Sequence, residues 1–246
     1  KMANAFIELG FNKTLLVNTT SKDIPKNVEE DHVVLIPDSD GIGKNVEYGK
    51  EVLSQNGAVV EDALRIKFGK VDWLFILAGG GGGTGSSVTA LQPVFERYLK
   101  SVQASGRVVY IVSWPTAQEN LNPTIARNAL TLANDVARFP HVVLDNERAT
   151  RLLRGRIGML GMYPVANTTF AKSLAQVLKL STEDSPIQSF DSKDLETCLD
   201  NDGRGFLGST MIKDPSTGKL GTMILHNCMN RSACPPPKGK AKAGSL

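Results

Sequence analysis

Residues 73–87 read Trp-Leu-Phe-Ile-Leu-Ala-Gly-Gly-Gly-Gly-Gly-Thr-Gly-Ser-Ser. The apolar run from Trp73 to Ala78 has the length and bulk of a buried strand. Five consecutive glycines, Gly79 to Gly83, then leave a loop without a single Cβ, so a ligand can approach its backbone. The stretch from Ser86 to Gln103 carries Val88, Leu91, Phe95, Tyr98 and Val102 close to one helical face. Pro93 inside it predicts a kink or a shifted start. Strand, glycine loop and helix in succession offer unpaired N–H groups and the positive end of a helix dipole. Thr84, Ser86 and Ser87 add hydroxyl donors. The set fits a di- or triphosphate. It is not a P-loop, because no Gly-Lys-Ser/Thr follows, and it makes no convincing G-x-G-x-x-G dinucleotide fingerprint. A flexible linker shares the composition, but linkers do not sit between a buried strand and an amphipathic helix.

Working outward, Met2, Phe6 and Leu9 have helical spacing, and Gly10 follows as a stop. Strand patterns are expected at Thr14 to Asn18, His32 to Pro37, Val108 to Val112 and Val142 to Leu144. Helices are expected at Val46 to Gln55, at Asn122 to Ala137 with Pro123 in the first turn, and at Tyr163 to Leu180. Strands that are runs of Val, Ile and Leu, alternating with helices, indicate an α/β fold with a mainly parallel sheet covered on both faces. Ligands of such sheets bind in the loops at the carboxyl ends of the strands.

The 246 residues, 41% hydrophobic and 22% charged, suit a globule and not a disordered chain. The longest apolar stretch is far below the ~20 residues of a membrane span. Twenty-eight Lys and Arg face twenty-five Asp and Glu, and three of the lysines lie between Lys238 and Lys242, so the body carries no basic footprint for nucleic acid. Cys198, Cys228 and Cys234 match neither a CxxC redox motif nor a zinc knuckle and read as reduced thiols of a cytoplasmic protein. His32, His141 and His226 have no HExxH pattern, so no metal held by histidines is expected.

Gly81-Gly-Gly-Thr-Gly-Ser86 after a strand resembles the signature of the tubulin/FtsZ family of GTPases, and further loops follow in that family's order. Leu16-Val-Asn-Thr-Thr-Ser21 is similar to its Val-Asn-Thr-Asp loop, with Thr20 in place of the aspartate. Gly41-Ile-Gly-Lys-Asn-Val-Glu-Tyr-Gly-Lys50 resembles the loop that senses the terminal phosphate; Gly41 and Gly43 permit a nest of donors and Lys44 adds a cation. Read alone, it is a glycine turn before a helix. Trp114-Pro-Thr-Ala-Gln-Glu119 resembles the Pro-Phe-x-Phe-Glu loop, with Pro115 beside the nucleotide and Glu119 at the ribose. Leu144-Asp-Asn-Glu-Arg148 resembles Ile-Pro-Asn-Asp-Arg/Lys, with Asn146 at the guanine edge; alone, Asn146 is a turn residue. Tyr163 and Asn167 match an aromatic-x-x-x-Asn pair whose spacing puts both on one helix face. Tyr163 can stack on a purine and Asn167 offers a donor and an acceptor; alone they read as packing and a cap.

Ile187-Gln-Ser-Phe-Asp-Ser-Lys-Asp194 resembles the family's Asn-x-Asp-x-x-Asp loop, with Ser189 for the asparagine. The resemblance implies that Asp191 and Asp194 are catalytic, polarising the attacking water at the nucleotide of the next subunit in a filament. Their spacing also reads as a helix N-cap box. The resemblance spans residues 1–209 and implies a Rossmann-like three-layer nucleotide-binding domain that holds GTP or GDP with Mg²⁺. Asn18, Thr19, Gly41, Gly43, Lys44, Gly80, Gly81, Gly82, Gly83, Thr84, Gly85 and Ser86 are then the phosphate-side residues. It implies head-to-tail self-assembly in the cytoplasm of a prokaryotic or phage-infected cell. The roles it suggests are division, DNA segregation or phage DNA positioning, with a division or DNA-adaptor partner at the tail. The family's first glycine-rich loop has no counterpart here, which implies impaired nucleotide affinity. Its second domain has no room after Met211; a short hairpin around Asp214 to Lys219, or a remnant of that domain, is expected over 210–233, and a flexible basic tail over 234–246. The competing expectations are a nucleotide-binding accessory with little or no hydrolysis, and a dinucleotide oxidoreductase.

Overall fold

Val108, Tyr110 and Val112 alternate with Ile111 along one run, and the two sets enter different hydrophobic clusters. That period of two places a sheet between two apolar layers. The computed structural model describes residues 2–37, 39–181, 191–212 and 218–236. In chain order the elements are α1 (Met2–Glu8), β1 (Leu16–Asn18), β2 (Val33–Leu35), α2 (Val46–Gln55), α3 (Gly57–Phe68), β3 (Leu74–Gly79), α4 (Gly83–Ser86), α5 (Gln92–Ser101), β4 (Val108–Trp114), α6 (Pro123–Val136), β5 (Pro140–Asp145), α7 (Asn146–Leu153), α8 (Met159–Leu180), α9 (Ser192–Leu199), β6 (Gly203–Gly205) and α10 (Leu220–Arg231).

Every strand pair among the described residues is parallel, and the strands form two groups, β1-β2 and β3-β4-β5-β6. One core joins Leu53, Val60, Leu64, Phe95, Tyr98 and Leu132, from α2, α3, α5 and α6, to Leu74, Ala78 and Val112 of the sheet. The other joins Phe6 of α1 and Phe170, Ala171 and Leu174 of α8 to Ile111 and Leu144 on the opposite face, with Phe75 and Leu77 packed against it. The result is a Rossmann-like three-layer α/β domain, as expected. Tyr98 and Tyr110 are fully buried, and both hydroxyls are satisfied: Tyr98 donates to the Gly69 carbonyl (2.6 Å) and Tyr110 to Gln92 Oε1 (2.5 Å). Those bonds offset the cost of burying two phenols.

Local signals act as their chemistry dictates. Asn45 caps α2 by accepting from the Tyr48 N–H, and Asn122 caps α6 ahead of Pro123. The helix expected from Ser86 breaks into α4, a 3₁₀ turn (Val88–Leu91) and α5, because Pro93 fits only near a helix start. α8 begins at Met159, so Pro164 lies inside the helix and not at its first turn. Three helices were not expected. α3 repeats Val60, Leu64 and Phe68 at helical spacing, but Gly57 reads as a stop. α7 starts at Asn146 because Asp145 caps it, so Asn146 is a helical residue and not a turn residue. The hairpin expected around 214–219 is not formed on its second arm: Leu220 onward is α10, which buries Cys228 against Gly208. Residues 214–217, residues 187–190 of the acid loop and the tail lysines lie outside the described residues. The three cysteines are unpaired. Among the described residues no helix is long and apolar enough to cross a membrane.

Two predictions follow from the packing. A Cβ on Gly85 would lie 2.5 Å from the Gly79 carbonyl oxygen and 2.7 Å from its nitrogen, whereas one on Gly82 would meet nothing within 4 Å. Gly85→Ala is therefore expected to cost about 2 kcal/mol or more in urea unfolding, and Gly82→Ala about 0.5 kcal/mol or less. Burial, aided by Arg204, holds the His141 imidazole below its usual pKa despite a 3.0 Å bond between Nδ1 and the Phe139 carbonyl. The unfolded chain thus binds this proton more tightly than the folded one. The stability it contributes is present above about pH 6.5 and drains away as pH falls below that value. Thermal unfolding between pH 7.5 and 5 should show a shallower loss in His141→Gln than in the parent chain.

Candidate functional site

β3 ends at Gly79, and the backbone turns at once into α4. Its glycines serve closeness more than torsion, since none between Gly79 and Gly85 has a positive φ. A Cβ on Gly80 would press on the Ser113 carbonyl and Ala129, one on Gly81 on Ile125, and one on Gly83 on the Lys44 backbone nitrogen at 3.2 Å. Gly82 alone among them faces open space and begins α4 without a side-chain cap. The first N–H groups of α4 are therefore left for another acceptor.

Two neighbouring loops close on this turn. Thr19, 1% exposed, exchanges a 3.0 Å hydrogen bond with the Thr84 hydroxyl, and the Asn18 side-chain oxygen accepts from the Thr19 N–H at 2.8 Å. Gly41 (φ 90°) donates its N–H to the Thr19 carbonyl, and Gly43 (φ 57°) and Lys44 (φ 63°) continue in the left-handed region. Lys44 is held there from behind: the amide of Asn128, a buried residue of α6, donates to its carbonyl at 2.9 Å. Gly43 and Lys44 are exposed. Asn128 was not foreseen; an amide on the core-facing side of α6, one turn before Leu132, was its only signal.

A single cavity of about 870 Å³ gathers Asn18, Gly82, Gly83, Thr84, Gly85, Glu119, Asn146, Tyr163 and Asn167. Glu119 Oε2 accepts from the N–H and hydroxyl of Thr116, at 2.7 and 2.9 Å, and from the Tyr163 hydroxyl at 3.5 Å. Burial, then the Glu119 charge, pushes the Tyr163 phenol up from its usual pKa, so it stays a donor. Tyr163 and Asn167 stand one turn apart on α8.

Other expected residues sit outside this lining. Thr19, Gly41, Gly43, Lys44, Gly80 and Gly81 do not line it. Pro115 is buried beneath the Thr116–Glu119 turn, with its carbonyl accepting from Asn120. Ser86 and Ser87 are fully buried: the hydroxyl of Ser86 turns to the Gly79 carbonyl (3.5 Å) and that of Ser87 to Val46 and Gly83 (2.9 Å each). The expectation that these hydroxyls reach a ligand is corrected by helical geometry, which aims position 84 at the cavity and 86 and 87 inward. Asp191 and Asp194 are exposed and lie away from the cavity, forming a reciprocal capping box on α9: Asp191 Oδ1 accepts from the Lys193 and Asp194 N–H groups at 2.8 and 3.0 Å, and Asp194 Oδ2 from the Asp191 N–H at 3.2 Å. A smaller cavity of about 290 Å³, between α6 and the β4–β6 side of the sheet, contains none of the expected residues.

No family model matches the chain. It is 27% identical over 209 residues to the tubulin-like protein CetZ of Thermococcus kodakarensis, an alignment covering 81% of this chain and 52% of that protein. Over 209 residues it is 24% identical to the cell division protein FtsZ of Neisseria meningitidis, covering 83% and 50%. The chain thus spans about half the length of the curated relatives it matches. Among solved structures, a GTPγS-form protofilament of Bacillus thuringiensis serovar israelensis TubZ superposes with a TM-score of 0.71 at 19% identity, covering 94% of this chain and 66% of that one. In sequence the chain is similar to CetZ and FtsZ, and its fold is of the tubulin/FtsZ type.

Proposed function

We propose that the chain binds a guanine nucleotide and acts as one subunit of a head-to-tail filament whose assembly completes GTP hydrolysis. The observation that carries this reading is the single cavity shared by Gly82, Thr84, Asn146, Tyr163 and Asn167, residues drawn from two separate strand ends and a helix. The phosphates fit the capless start of α4, where backbone N–H groups and the α4 dipole meet negative charge. The loop of Gly43 and Lys44 adds donors and a cation at the far phosphate. The purine lies along Tyr163, with the amides of Asn146 and Asn167 at its edge and Glu119 at the ribose. CetZ and FtsZ as relatives, and the GTPγS-form protofilament of TubZ as a fold neighbour, support the same assignment.

Mg²⁺ accompanies such a ligand mainly through phosphate oxygens and retained waters. The hard oxygen donors that line the cavity suit it: the Thr84 hydroxyl follows directly on the glycine turn, and Asp23 lines the same cavity with a carboxylate. Its chemistry is to offset phosphate charge. In hydrolysis, water attacks the γ-phosphorus, the bond from that phosphorus to the β,γ-bridging oxygen breaks, and GDP and inorganic phosphate leave. Asp191 and Asp194 of a neighbouring subunit orient that water and take up its proton. Their place on an exposed helix start, apart from their own subunit's cavity, agrees with action across a contact. Because both carboxylates are already engaged in the capping box, binding without turnover is the competing reading.

Calorimetric titration with GTP and with ATP, each with Mg²⁺, tests the binding. GTP should bind at least about tenfold more tightly than ATP, a gap of about 1.4 kcal/mol, and Asn167→Ala should narrow it. Equal affinities for the two would overturn the guanine assignment. For turnover, Asp191→Ala with Asp194→Ala should lower phosphate release by about 10²-fold or more and leave GTP affinity intact. Normal turnover alongside sedimenting filaments would remove both acids from the chemistry.

A further inference from the structure

The turn that leads into β2 gathers three side chains of metal-ligating type. A 3₁₀ turn spans Glu30–His32 with Glu29 at its N-cap, and the His32 N–H closes it on the Glu29 carbonyl at 3.0 Å. Such a turn has three residues per revolution, so side chains three apart stand over one another. Glu29 and His32 are related in this way, and Asp31 lies between them in the chain. One carboxylate oxygen from each acid and one ring nitrogen of His32 all lie within 4.8 Å of one another. This Glu-x-Asp-His spacing differs from the HExxH pattern, whose absence led the sequence to suggest no metal held by histidines.

The imidazole is set for ligation. His32 is 6% exposed, and its Nδ1 lies 2.6 Å from the Thr14 carbonyl. A carbonyl only accepts, so Nδ1 carries the proton and Nε2 keeps its lone pair. Nε2 makes no hydrogen bond among the described residues, and Asp31 Oδ1 lies 3.9 Å from it. No buried side-chain nitrogen or oxygen there lacks a partner, so Nε2 opens outward, beside the two exposed carboxylates. Metal-bound histidines are held in this manner, one ring N–H on a carbonyl and the other nitrogen on the ion. Asp31 is oriented too: its Oδ2 accepts from the Lys67 ammonium of α3, which leaves Oδ1 on the His32 side. Lys67 offsets one of the acidic charges of Glu29, Glu30 and Asp31, and the surplus attracts a cation. Two ligands of a tetrahedral ion at about 2.0–2.1 Å are about 3.4 Å apart, so the 3.9 Å pair closes by about half an ångström. One imidazole with two carboxylates is a mixed nitrogen–oxygen set, which suits Zn²⁺ better than Mg²⁺ or Ca²⁺.

We propose that Glu29, Asp31 and His32 form a binding site for a divalent transition cation of the Zn²⁺ class, with water in the remaining position. The site stands at the amino end of β2, whereas the cavity takes Asn18 from the carboxyl end of the parallel strand β1 and none of these three residues. Its ligands also hold the Thr14 carbonyl and Lys67, so the ion braces β2 against the segment before β1 and against α3. The inference does not rest on the nucleotide reading.

Calorimetric titration of the nucleotide-free chain with ZnCl₂ near neutral pH tests it, and one Zn²⁺ per chain should bind. Because His32 is buried, the exposed Glu29 carries the comparison. Glu29→Gln removes a ligand and keeps the side chain's shape, and should weaken binding by about tenfold or more. Glu30→Gln removes the same charge one residue away and should weaken it by about threefold or less. Co²⁺ in place of Zn²⁺ should bind with no sulfur-to-cobalt charge-transfer band, which separates this site from the three thiols. Equal losses in the two variants would reduce the turn to diffuse charge and overturn the site. Unchanged binding in Glu29→Gln, a thiolate band or no uptake by the parent chain would overturn it as well.

Discussion

The backbone of Gly85 crosses that of Gly79 so closely that no Cβ fits between them. This pass lets the chain reverse within one short loop, so that α4 lies directly against the strand it has just left. Because α4 is seated there, its open first turn faces the cavity, and Ser86 and Ser87 are pulled inward to brace the loop by their hydroxyls. Thr84, left on the outer side, meets Thr19 and couples the end of β1 to the same point. The arrangement of the other loops around the cavity is built on this one contact between two glycines.

Much of this was legible in the residues because the signals were strong and local. β3, the glycine turn and the apolar stripe of α5 combine a bulky run, missing side chains and helical spacing; α2 carries an Asn cap and ends where it was expected. Convergence of Asn18, Glu119, Asn146, Tyr163 and Asn167 on one cavity is a tertiary fact, and it was reached through the order of short motifs resembling one family. What was not legible depends on context. Gly57 can end a helix or begin one, and only packing of Val60 and Leu64 decides. Asn146 can turn a loop or start a helix, and the Asp145 cap decides. Asn128 is polar on an apolar face, and its purpose is visible only when the Lys44 carbonyl is found opposite it.

The site stands on both structural layers. Tyr163 and Asn167 belong to the helix that packs Phe170 and Leu174 into the second core, whereas Asn128 reaches the Gly41–Lys44 loop from α6 in the first. Arg148, two residues after Asn146 on α7, donates its Nε to the Ser232 carbonyl (2.6 Å) and a second guanidinium N–H to the Met229 carbonyl. α7 and the end of α10 are thereby parts of one polar assembly. Charge-assisted bonds of this kind outlast neutral ones when a surface segment loosens.

Lys44 occupies a torsional region that L-residues other than glycine enter at a cost of about 1 kcal/mol. The Asn128 clamp and the Thr19 anchor at Gly41 hold the segment there through bonds within the protein. Its shape is thus set by the protein alone. A ligand arriving at such a rim meets a mould already cast and surrenders little disorder in closing it, so more of its contact energy remains as affinity.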